Sequence, residues 1–152
     1  MSRTRIHHFE GFSVKRAGLD IKLDMSRVEN NFNKAQYALD SAVMTSMVPF
    51  MPMQDGKFIN RTRAESAALA GSGEVVAAAP PFGRFLYEGK VMVDPATGSA
   101  WARKDAKKVL TTQSLKYSKA PNPKAQAHWF DAAKKADADS WVRTVKNIAG
   151  GG

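Results

Sequence analysis

Apolar residues recur every three or four positions along two long stretches of the chain and alternate with polar residues over shorter ones. Val28, Phe32, Ala35, Leu39, Ala42 or Val43, and Met47 follow the first rhythm. That spacing places them on one face of a helix, which must be covered by another part of the protein. Ser26, with Glu29 three residues later, has the form of a capping box at its start. Pro49 ends it, because a residue before proline is pushed out of helical geometry. The second amphipathic stretch runs from about Ala127 to Ala149. Its apolar side holds Trp129, Phe130, Ala133, Trp141, Val145 and Ile148; its polar side holds Lys134, Lys135, Asp137, Asp139, Arg143 and Lys146. Residues 150–152 are a glycine run that stops this helix and forms a flexible tail.

The alternating pattern is clearest at Leu19-Asp20-Ile21-Lys22-Leu23, which predicts a half-buried strand. Residues 1–18 stand as an N-terminal arm or extension. Ile6 to Gly18 is basic and poorly patterned, suited to an arm that orders on a partner or, more simply, to a frayed terminus. After the first helix, Pro49 to Gly56 is a turn region. Within Met44 to Met53, the methionines suit either a soft contact surface or core and loop. Phe58 and Ile59 resume an apolar pattern, and Asn60 to Gly73 is expected to be a loop. Glu74 to Ala78 is an expected strand broken by Pro80-Pro81. Phe82 to Val93 predicts one or two strands with Gly89 as a bulge or kink. The turn signal Asp94-Pro95-Ala96-Thr97-Gly98 predicts a hairpin joining Val91–Val93 to Ala100–Ala102. A short strand is expected at Leu115 to Tyr117, and Pro121 and Pro123 then hold the chain extended. No repeat of solenoid period is present. The order predicts an α+β fold, a mostly antiparallel sheet packed with a long N-terminal helix and a C-terminal helix, in a single domain over residues 19–149.

Composition narrows the chemistry. The chain has 152 residues, enough for one modest core. It contains no cysteine, which excludes disulfides, thiolate metal sites and cysteine nucleophiles. No apolar run approaches the roughly 18 residues of a membrane span, and the N-terminus has no apolar core of a secretory signal. The net charge of +9 is uneven: residues 1–76 carry 10 Lys and Arg against 8 Asp and Glu, and residues 77–152 carry 13 against 6. The excess gathers at Arg103, Lys104, Lys107, Lys108, Lys116, Lys119 and Lys124, opposed only by Asp105. Such a patch attracts polyanions, nucleic acid or an acidic partner face, and a solvated basic loop has the same composition. Trp101 and Tyr117 flank the run Arg103 to Lys108 and suit either base stacking or the core.

Catalytic residues are not assigned, and no cofactor or metal is expected. His7 and His8 have no third ligand at a recognisable spacing. His128 opens an apolar helix face, as a capping or packing residue would. Gly71-Ser72-Gly73 is too short for a phosphate loop and lacks its lysine.

Three motifs together resemble the minor capsid proteins of siphophages of Gram-positive bacteria, a family similar to the neck or tail-completion proteins of long-tailed phages. The first is Pro52-Met53-Gln54-Asp55-Gly56-Lys57-Phe58, directly after a long amphipathic helix. The second is Pro81-Phe82-Gly83-Arg84-Phe85-Leu86-Tyr87-Glu88-Gly89-Lys90-Val91-Met92. The third is His128-Trp129-Phe130-Asp131-Ala132-Ala133-Lys134. Asp94 to Ser118 fits the same pattern, so the resemblance spans about Leu19 to Ile148. Asp55 stands where the family usually has Thr and Phe82 where it has Tyr, and the doubled prolines Pro49/Pro52 and Pro80/Pro81 are departures. The resemblance implies a non-enzymatic virion protein at the head–tail neck, built in the host cytoplasm. It implies a homo-oligomeric ring that meets connector or head-completion proteins on one side and tail-terminator proteins on the other, with no membrane partner and with non-specific contact to DNA in the channel. The motif residues Pro52, Gly56, Arg84, Tyr87, Gly89, His128 and Trp129 are expected to support the fold, with Arg84 facing Glu88. The basic half of the chain also suits a nucleic-acid-binding accessory protein. A small hydrolase is disfavoured by the missing site chemistry.

Overall fold

A computed structural model describes residues 6–151; Met1 to Arg5 of the arm and Gly152 of the tail lie outside the described residues. Helix α1 spans Ser26–Met47 and helix α4, numbered in chain order, spans Trp129–Ala149. They pack on each other through the faces that the three-to-four spacing marks. Val43, Met44, Met47, Met51, Ile59, Trp129, Ala133 and Trp141 form the core. The methionines divide accordingly, with Met44, Met47 and Met51 buried and Met53 exposed. Trp129 is fully enclosed, with Phe58 and Tyr87 edge-on at 5.8 and 4.8 Å. Its indole Nε1 donates to the Ala77 carbonyl at 2.8 Å, and Trp141 Nε1 donates to Ser46 Oγ at 3.0 Å. Each buried indole N–H therefore has the partner that burial demands.

The capping box does not form. Asp24 Oδ1 accepts the Ser26 amide at 2.9 Å instead, while Glu29 reaches back to the arm, accepting from the Phe9 amide at 3.4 Å and lying 2.9 Å from His8 Nδ1. The arm segment His7–Phe9 lies along α1. His7 and Asn33 exchange backbone–amide bonds of 3.3 and 3.0 Å, and the Phe9 ring meets Phe32 edge-on at 5.2 Å.

The expected loop at Asn60–Gly73 is mostly helix: α2 spans Lys57–Leu69. Its buried positions Ile59, Thr62 and Ser66 keep helical spacing, but two of the three are polar. They have a specific task. Thr62 Oγ1 accepts the Ala79 amide at 3.2 Å; Ser66 Oγ donates to the Val76 carbonyl at 2.8 Å and accepts its amide at 3.0 Å. Val76 and Ala79 thus bond to helix side chains where a strand would bond to a neighbouring strand, and the run Glu74–Ala78 forms no strand. Between α2 and this run, Asp40 of α1, buried, accepts the Gly71 and Gly73 amides at 2.7 and 3.0 Å.

The strands among the described residues form two separate two-stranded antiparallel sheets. In the first, β1 (Phe12–Arg16) pairs with β2 (Leu19–Leu23) through a turn at Ala17-Gly18. The boundary expected at Gly18 therefore falls inside a hairpin, and the frayed-terminus reading of Ile6–Gly18 gives way to a docked segment followed by a strand. Further on, Phe82–Val93 is not all strand: α3 spans Gly83–Glu88, and β3 spans Lys90–Val93. Gly89 closes α3 at φ +67° rather than forming a bulge. The irregularity in the sheet lies between Lys90 and Met92. The partner of β3 is β4 (Val109–Ser114), not Ala100–Ala102, and the strand expected at Leu115–Tyr117 ends before Leu115. The Asp94–Gly98 turn does form, with the Gly98 amide donating to the Asp94 carbonyl at 2.8 Å. Asp94 then binds Arg103, so the chain makes an excursion from Asp94 to Lys108 before returning as β4. The α+β class holds, with α1 against α4 at its centre.

Candidate functional site

Two surfaces offer binding chemistry. The first is the β1–β2 hairpin. Phe12, Val14 and Arg16 pair across the sheet with Leu23, Ile21 and Leu19, so strand alternation puts five apolar side chains and one arginine on one face. That face is uncovered: Phe12 is 56% exposed and Leu19 61%. A lone two-stranded hairpin is marginal in water, and five apolar side chains in solvent are costly to keep on a soluble surface. Ala17 and Gly18 both have positive φ, at 49° and 79°. This pair of conformations is that of the type I′ turn, whose twist matches right-twisted strands.

The second surface is a groove of about 910 Å³ between the turn before α2, the Pro80-Pro81 bend, α3 and the second sheet. Its floor includes Pro52, Met53, Phe82, Leu86 and Met92, and its rim carries Lys57, Arg61, Lys90, Lys108 and Lys116. Phe82 is 65% exposed. Lys57 and Arg61 are paired with Asp55 and Glu65 at 3.4 and 3.1 Å. Lys90 instead reaches Ser114 Oγ at 3.3 Å, and Lys108 reaches the Ala100 carbonyl at 2.6 Å. Those oxygens are neutral, so the two ammonium charges, with that of Lys116, are not cancelled by these bonds.

The basic run expected as one patch is not a single free surface. Arg103 forks onto buried Asp94, with Nε at 2.8 Å and Nη2 at 3.2 Å. These bonds, with the Ala96 and Arg103 amides, hold the Asp94 carboxyl well below the usual carboxylate range and raise Arg103 in turn. Lys119 donates to the Ala125 carbonyl, and Lys124 lies 5.7 Å from the centre of the Phe50 ring. Lys104 and Lys107 are exposed, and Lys108 and Lys116 line the groove. Of the flanking aromatics, Trp101 is 90% exposed, whereas Tyr117 is half-buried and donates to the Leu86 carbonyl. Burial raises the Tyr117 phenol above its ordinary value.

The motif residues divide between groove and fold. Pro52 and Gly56 line the groove. Tyr87 stacks edge-on against Trp129 and His128, and its carbonyl accepts the His128 amide at 2.9 Å. His128 holds φ +50° at the start of α4. Its Nε2 lies 3.9 Å from Glu88, the carboxylate expected opposite Arg84; Arg84 itself is exposed. His7 Nε2 lies 3.2 Å from Gln36 Oε1, and no group of three or more metal-ligating side chains occurs among the described residues. No described helix is long and apolar enough to cross a membrane. Lys57, Arg61 and Lys90 are site residues that sequence reading missed, because they come from separate segments and meet only in the fold. Comparison of the chain with protein-family models, curated proteins and solved structures finds no match.

Proposed function

We propose that the protein is a structural virion component of a long-tailed bacteriophage that joins head to tail as an oligomeric ring. The observation that carries this reading is the β1–β2 hairpin, whose five apolar side chains are presented to solvent on one face. An element of that kind is stable when a neighbouring subunit or virion partner covers it. A ring is built by such head-to-tail contacts, in which one patch of each subunit meets a different patch of the next. The neck-protein resemblance of the three motifs supplies the setting.

Light scattering of the purified protein, alone and with purified connectors or tail tubes, tests it. The expected result is a switch from monomer to a defined ring-sized assembly, or saturable binding to either partner. The double variant Phe12→Ser/Ile21→Thr is expected to lose that assembly while keeping the melting temperature within about 2 °C, because exposed surface changes seldom move stability by more than about 0.5 kcal/mol. A protein that stays monomeric, ignores both partners and binds DNA in low salt would sink the joining role and leave nucleic-acid binding in its place.

A further inference from the structure

The groove has an apolar floor and a basic rim on which Lys90, Lys108 and Lys116 are not matched by a carboxylate, and no described segment of the chain fills it. We infer that it receives an extended, acidic segment of a partner protein, which seats apolar side chains on Phe82, Leu86 and Met92 and sets carboxylates against Lys90, Lys108 and Lys116. This inference stands on the groove alone and does not require the ring.

Three observations choose the occupant. The first is volume: about 910 Å³ is ample for several side chains and lies in the range of built ligand sites. The second is charge. The chain carries +9 overall, and two of the five rim cations are neutralised by Asp55 and Glu65 while Lys90 and Lys108 rest on neutral oxygens. Electrostatic complementarity therefore calls for anionic groups on the occupant. A second copy is a poor occupant on the same ground. Its exposed apolar element, the hairpin, carries Arg16 on the apolar face and Lys15 and Lys22 on the other. The third is the aromatic lining. Of Phe58, Phe82, Phe85 and Tyr117, only Phe82 is exposed, while Phe58 meets Trp129 edge-on and Tyr117 is tied to the Leu86 carbonyl; one free ring beside proline, methionine and leucine is a hydrophobic seat and not the row of stacking plates that single-stranded nucleic acid needs.

Panning a displayed library of random short peptides on the immobilised protein, followed by fluorescence anisotropy of the enriched peptides, tests the inference. The expected enrichment is for apolar residues flanked by Asp or Glu. Their affinity is expected to fall roughly tenfold or more in Lys116→Glu and in Phe82→Ser, and to weaken as salt rises. Both substituted side chains are exposed, so folding is preserved and circular dichroism checks it. Absence of enrichment, enrichment of basic peptides, or binding indifferent to both variants would overturn the inference. So would displacement of the peptides by an oligothymidylate whose own binding shows the same sensitivity to both variants. A monomer that binds the acidic peptides would keep this inference and still lose the ring.

Discussion

Gly89 is the point where three segments meet. Its amide closes α3 on the Phe85 carbonyl at 3.1 Å, its carbonyl accepts the Leu115 amide at 2.9 Å, and a Cβ here would lie 2.7 Å from the Ala127 Cβ. Its φ of +67° adds a backbone penalty for any side chain. Gly89→Ala is therefore expected to destabilise the fold by about 2–3 kcal/mol in urea denaturation, combining strain with a methyl that has no room. Asp94 makes a second residue-scale prediction. Its folded carboxyl is held below the ordinary value by Arg103 first, then by the Ala96 and Arg103 amides. The resulting stabilisation is full above the ordinary carboxylate value of about 3.9 and disappears as pH falls through the depressed folded value. Melting temperatures of the wild type and of Asp94→Asn should differ at neutral pH and converge as the pH drops below about 4.

The hairpin and α2 are informative at the scale of elements. Ala17 sits at φ +49° beside Gly18, a conformation that asparagine tolerates better than alanine. Ala17→Asn should slow amide exchange in Phe12–Leu23 several-fold and leave global unfolding unchanged, because the hairpin's apolar face contributes little to the core. Ser66→Ala tests the α2 strap: the Val76 amide and carbonyl lose their side-chain partner, for an expected cost of about 1–3 kcal/mol by chemical denaturation. The two long helices were legible in the sequence because their buried faces are apolar at a regular interval. Helix α2 was not, since its buried stripe includes Thr62 and Ser66, which hydropathy counts as surface. Helix α3 was misread because Phe85, Leu86 and Tyr87 carry strand preference, while contact with Ala78, 2.5 Å from where a Gly83 Cβ would sit, and closure at Gly89 decide the local geometry. The basic run was legible as charge alone. Which of its cations are spent on Asp94 or a carbonyl depends on atoms distant along the chain. The groove was illegible for the same reason.

Charge governs the behaviour of the whole molecule. Copies of a +9 chain repel one another, and raising salt from 0.1 to 1 M shortens the screening length from about 10 to about 3 Å. Salt should therefore promote the proposed assembly between copies while weakening the proposed binding of acidic peptides in the groove, and sedimentation and anisotropy over the same salt series would show the two effects moving in opposite directions. Trp141 and Ser46, hydrogen-bonded between α4 and α1, are 95 residues apart in the chain. During synthesis at about 5–20 residues per second, α1 therefore waits roughly 5–20 s for its partner to be made. The part of its apolar face that α4 covers is open for that interval, and the core between the two helices cannot be completed before α4 has left the ribosome.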